Sequence, residues 1–116
     1  MSGSTDKALA EKLLHGLEDG RMSGSEATLL AQDLDPVLVH VILRYLREVY
    51  PASNPAAGAV LDRVVSLTSS SPRIVALAKE GEQDPVSQWF ASEYAFGDFR
   101  GRSSELLDLV IDKLES

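Results

Sequence analysis

The sequence predicts an all-α fold, a compact bundle of about six or seven short helices around a central apolar helix at about residues 36–50. Three observations lead there. A capping residue directly followed by proline recurs at Asp35-Pro36, Asn54-Pro55, Ser71-Pro72 and Asp84-Pro85. Apolar residues recur at three- and four-residue intervals, the helical period. No stretch alternates apolar and polar residues between turn signals, as a half-buried strand would.

Each capping pair marks a helix start. Asp, Asn and Ser side chains accept bonds from the orphan amides of a first turn. Proline at the next position loses nothing, because its missing N–H would be unpaired there anyway. The starts are spaced by 19, 17 and 13 residues. That inequality excludes a solenoid repeat and leaves shared capping chemistry.

Three further helices complete the bundle. The first is expected over 5–18, with Leu9, Leu13 and Leu17 on one face and Gly20 ending it. A short second helix spans about 26–34, capped by Ser25. The last spans 104–115, capped by Ser103, with Leu106, Leu107, Val110, Ile111 and Leu114 as its apolar stripe. In the third helix Val37, Leu38, Val39, Val41, Ile42, Leu43, Tyr45, Leu46 and Val49 cover most of the circumference. A helix of that kind must be enclosed by neighbours on several sides. The fourth opens with Ala56-Ala57-Gly58-Ala59, small residues that suit close packing against a bulkier neighbour.

The 116 residues suffice for one core, so residues 5–116 are expected to form a single helical domain behind a frayed, small and polar start at 1–4. The net charge of −7 disfavours phosphate backbones and anionic headgroups. Neither nucleic acid nor membrane is therefore an expected partner. Cysteine is absent, which excludes disulfides, thiol catalysis and thiolate zinc sites. The first 20 residues lack a signal-like apolar stretch, and the densest apolar run, residues 36–43, is far short of a membrane span. A cytoplasmic protein is the resulting expectation.

No phosphate loop, dinucleotide fingerprint, zinc-protease motif or nucleophile elbow occurs. Neither an enzyme nor a cofactor is implied. Residues 24–46 superficially follow a helix-turn-helix, but Val37, Leu38 and Ile42 would face the groove where polar side chains must read bases. His15 lies among Glu11 and Glu18, yet the Glu-x-x-His pairs of a carboxylate-bridged metal site are missing; it reads as a surface histidine. The loop at 80–84 lacks the ligand alternation of a calcium loop. Glu105, Asp108, Asp112 and Glu115 form an acidic stripe on the last helix, which serves solubility or a basic partner.

Two sets of residues are candidates for function. The segment 89–102 holds five of the seven aromatic residues, followed by arginines and glycines just before the last helix. Phe96, Phe99, Arg100, Arg102, Ser103 and Ser104 could form a partner surface, or an anion site at a helix N-terminus. The competing reading buries the phenylalanines and pairs the arginines with local acids. His40, Arg44 and Arg47 form a secondary basic strip at helical spacing, whose ordinary reading is the solvated edge of a buried helix. The preferred function is a non-catalytic interaction or regulatory module with a protein partner, self-association being allowed. A small anionic ligand is the alternative, and a helix-turn-helix regulator ranks third.

Overall fold

The computed structural model describes residues 2–50, 55–68, 71–77, 89–90 and 95–115. Among them are six α-helices and one short 3-10 helix, with no strand. The helices are α1 (Ser2–Glu18), α2 (Gly24–Gln32), α3 (Pro36–Val49), α4 (Pro55–Thr68), α5 (Pro72–Leu77) and α6 (Ser103–Glu115); the 3-10 helix is Phe96–Phe99. The all-helical bundle expected from the capping pattern is the fold observed.

Local chemistry sets the boundaries. Proline is the first residue of α3, α4 and α5, as the capping pairs require. At α3 the Asp35 carboxylate accepts the Val37 amide at 2.9 Å. The Asp84-Pro85 start lies outside the described residues, although the backbone is helical at Trp89 and Phe90. α1 stops at Gly20, whose φ of 69° suits glycine. Its amide bonds the Leu17 carbonyl, and the Arg21 amide reaches back to Gly16. Together these bonds form a Schellman stop. α3 ends at Val49, and its cap Tyr50 precedes Pro51, a position disfavoured for helix.

Boundaries of three helices differ from those expected. α1 begins at Ser2 rather than residue 5, so residues 2–4 are helical where a frayed start was expected. α2 is capped by Ser23 rather than Ser25 and ends at Gln32 rather than 34. Ser23 lies three residues before Glu26 and accepts its amide at 3.2 Å, the arrangement of a capping box. Ser103 is the first residue of α6 rather than its cap.

The core gathers on α3, which touches every other described helix. Nine of its residues are buried: Val37, Leu38, Val39, His40, Val41, Ile42, Leu43, Tyr45 and Leu46. α1 contributes Ala10, Leu13, Leu14 and Leu17, and α6 contributes Leu106, Leu107 and Val110. α4 packs along α3 through Ala57, Val60, Leu61 and Val64. The expected close approach at the small residues of α4 is narrower than their run suggests. Ala57 is buried, but Ala59 is exposed and a Cβ at Gly58 would meet nothing within 4 Å. No described helix is long and apolar enough to cross a membrane.

Candidate functional site

The segment 96–104 is held in place from three sides. The Phe90 ring stacks on Phe96 with centroids 5.5 Å apart and tilts against Phe99 at 6.2 Å. All three are buried. Aromatic clusters of this geometry contribute packing beyond their area. A type II turn follows. Arg100 has φ −61° and ψ 120°, Gly101 has φ 81°, and the Arg102 amide closes the turn onto the Phe99 carbonyl at 2.8 Å. The chain thereby enters α6. Since the left-handed region disfavours a Cβ, Gly101→Ala is expected to lower stability by about 1 kcal/mol. Chemical denaturation measures this, and an unchanged midpoint would show that the turn relaxes freely.

A polar hub fixes the inner side of the same segment. The buried Tyr45 hydroxyl lies 3.1 Å from the Phe99 carbonyl and 3.4 Å from the Glu18 carboxylate. Ser103 Oγ donates to Glu18 Oε1 at 3.0 Å, and His15 Nδ1 stands 3.3 Å from that oxygen. Burial, with Tyr50 and Glu18 beside it, pushes the Tyr45 phenol well above its ordinary value. Tyr45 is therefore a neutral hydrogen-bonding strut at physiological pH. Glu18, at the end of α1, ties α1 to α3 and to the start of α6.

These contacts account for most of the candidate surface. Phe96 and Phe99 belong to the core and present no face to a partner. Ser103 is buried and committed to Glu18. Arg102 pairs with Glu105 at 3.0 Å and also donates to the Asp98 carbonyl. Arg100 is exposed, with its guanidinium 5.3 Å from the centre of the Tyr50 ring, and Ser104 is exposed. The phenylalanines turn inward because the apolar cluster with Phe90 removes them from water. The arginines meet local acids and aromatic faces because the tight turn places those groups within reach.

The basic strip divides in the same way. Arg47 is exposed and Arg44 half-buried, but His40 is only 5% exposed. His40 is therefore part of the interior, not of a solvated edge, because the end of α4 covers it. Its Nε2 lies 2.8 Å from Thr68 Oγ1, and that hydroxyl donates to the Val64 carbonyl at 2.5 Å. The hydroxyl proton is used there, so Nε2 carries the proton of the imidazole–hydroxyl bond. Burial, and Arg44 secondarily, lowers the His40 pKa to about 4. The α6 acidic stripe is partly answered by the fold's own cations, since Lys7 pairs with Asp108 and Arg102 with Glu105. Among the described residues, no three of His, Asp and Glu gather as a metal-binding group.

An open concave feature lies elsewhere among the described residues. A groove of about 270 Å³ runs between α2, the start of α3 and the end of α4, lined by Thr28, Ala31, Gln32, Leu34, Pro36, Val64, Leu67 and Thr68. Leu67 on its wall is 62% exposed. Leu29, 64% exposed, precedes Gln32 by one turn and neighbours it on the helix surface. The α4 sequence held a signal for this. Val60, Leu61, Val64, Val65 and Leu67 extend round more of the helix than contact with α3 alone needs.

No protein-family model, curated protein or solved structure matches the chain.

Proposed function

We propose that this chain is a non-catalytic protein-interaction module that receives a partner segment in the α2–α4 groove, in a cytoplasmic setting. The observation that carries the proposal is the open apolar groove flanked by Leu29 and Leu67, two leucines held largely in water. A large apolar side chain left exposed beside a concavity costs hydration free energy, which a partner's apolar surface recovers. The groove is somewhat smaller than the ~300–1,000 Å³ typical of small-molecule sites. It suits one or two inserted side chains better than an engulfed ligand. α3 buries Val37, Leu38 and Ile42, so the helix-turn-helix reading would need its recognition surface to come out of the core. The anionic-ligand reading loses support because Arg102 and Ser103 already have partners within the fold.

Two baits discriminate between the surfaces. Leu29→Ser with Leu67→Ser alters only exposed positions, one on the groove wall and one beside it on α2; Arg100→Ala with Arg102→Ala alters only the loop. Proteins crosslinked to the unaltered chain in cells should be lost by the groove variant, by about tenfold or more, and retained by the loop variant. Both variants should keep a native circular dichroism spectrum. Retention by the groove variant, or selective loss by the loop variant, would move the interface away from the groove.

A further inference from the structure

We propose that the corner between α1 and α2 is an oxidation-sensitive device, in which a peroxide turns the Met22 thioether into a sulfoxide and so loosens the start of α2 from the end of α1. The inference stands apart from the interaction-module reading, because its readouts need no partner.

Met22 holds the corner by a fit against backbone. A Cβ at Gly16 would lie 2.6 Å from the Met22 methyl carbon, 3.3 Å from its Cβ and 3.5 Å from its sulfur. The thioether therefore fills the space that a side chain at Gly16 would need. Gly16 lies inside α1, where glycine is a poor helix former, and this fit gives it a packing reason. The Gly16 carbonyl also accepts the Arg21 amide at 3.0 Å, the outer bond of the Schellman stop. Such stops often carry an apolar contact back to the same residue; here Met22, one position further on, makes it. Ser23, the cap of α2, follows directly. One side chain thus joins the end of α1 to the beginning of α2.

The same side chain is open to oxidants. Met22 is half-buried at the edge of the core. The chain has no cysteine, so an oxidant that seeks sulfur finds only Met1 and Met22. In the reaction with hydrogen peroxide a sulfur lone pair attacks one peroxide oxygen, the O–O bond breaks and water leaves; sulfur is oxidised and the peroxide reduced. The product is polar and chiral where the thioether was apolar and pliant. Its oxygen needs a hydrogen-bond donor. The amides of Asp19, Gly20 and Arg21 are already given to the carbonyls of His15, Leu17 and Gly16. Water must serve the sulfoxide instead, which draws the side chain off Gly16. α2 then loses this tie to α1, and α2 carries Thr28, Ala31 and Gln32 of the groove wall. Sulfoxide reductases reverse the change.

Dilute hydrogen peroxide acting on the folded full chain tests this, with peptide mapping to separate Met22 from Met1. Met22 should gain one oxygen under native conditions. The urea midpoint should then fall, and the amides of Gly16, Arg21, Ser23 and Ala27 should shift; methionine sulfoxide reductases of both stereospecificities should restore midpoint and shifts. Met22→Leu supplies an oxidation-proof corner of similar volume, which should keep the native midpoint and ignore peroxide. Met22→Gln, polar at similar length, should reproduce the lowered midpoint without oxidant. Any of three results would overturn the device: Met22 oxidised only once urea has unfolded the chain, a sulfoxide that moves neither the midpoint nor those amides, or a Met22→Leu protein as sensitive to peroxide as the unaltered one.

Discussion

Replacing Ile42 with aspartate is expected to abolish cooperative folding. Ile42 is fully buried in the middle of α3, the helix that every other described helix packs against. The substitution removes an aliphatic side chain, a loss of about 2–5 kcal/mol where truncation leaves a cavity. It also leaves a carboxyl group with no cation or donor placed to meet it. Protonation lessens that penalty but cannot remove it, because the neutral acid still lacks hydrogen-bond partners at a cost of about 1–3 kcal/mol. Combined, these effects rival the ~5–15 kcal/mol that holds a whole domain together. Circular dichroism and thermal melting measure the outcome. Leu29→Asp is the matched control, because Leu29 is exposed on α2; it should change stability by no more than about 1 kcal/mol. If the Ile42→Asp protein melts cooperatively near the temperature of the unaltered chain, α3 is not the centre of the core.

The sequence made the architecture readable because its strongest signals are local. The starts at Pro36, Pro55 and Pro72 follow from neighbouring residues alone, as does the stop at Gly20. The apolar circumference of α3 announced its burial without knowledge of which helices would surround it. The shift in α2 was also readable in principle. Ser23 and Ser25 both stand near the helix start, and only Ser23 has a glutamate three residues on. That spacing closes a capping box.

The candidate site was less legible, because depth and pairing are properties of tertiary structure. Helical spacing places His40, Arg44 and Arg47 on one side of α3, but it does not say that the end of α4 covers the first of them. In the aromatic segment the residue types suit an interface and a satellite core equally well. What decides the matter is the position of Phe90 against Phe96 and Phe99, together with the use of Ser103 by a glutamate 85 positions earlier. The groove could not be located from a single stretch, although α4 carries more apolar residues than contact with α3 alone needs. Its walls come from residues 28–36 and 64–68, and only the packing of α2 and α4 around the end of α3 brings them together.

His40 makes the fold's stability depend on pH in a defined window. Its folded pKa, lowered to about 4 from 6.5, means that the unfolded chain takes up the proton first. The contribution of the neutral ring is therefore fully present above about pH 6.5. It declines as pH falls through the interval and is exhausted near the folded value. At about 1.4 kcal/mol per pKa unit, the unaltered chain should lose on the order of 2 kcal/mol through this group between pH 7 and pH 4.5. His40→Gln isolates the effect, since glutamine does not titrate and its amide can still donate to Thr68 Oγ1. The carboxylates titrate in both proteins and cancel in the comparison. Urea unfolding at the two pH values gives the result: the unaltered protein should be the more acid-sensitive by about 2 kcal/mol. Parallel losses would mean that the ring is charged or hydrated within the fold and that burial does not hold it neutral. Thr68, the partner of His40, also lines the groove. Protonation at Nδ1 puts a positive charge on a ring whose Nε2 is bonded to Thr68, so the change in field is felt at the helix end that forms the groove wall. The Val64 and Thr68 amides should therefore begin to shift at higher pH than the bulk of the core as the solution is acidified.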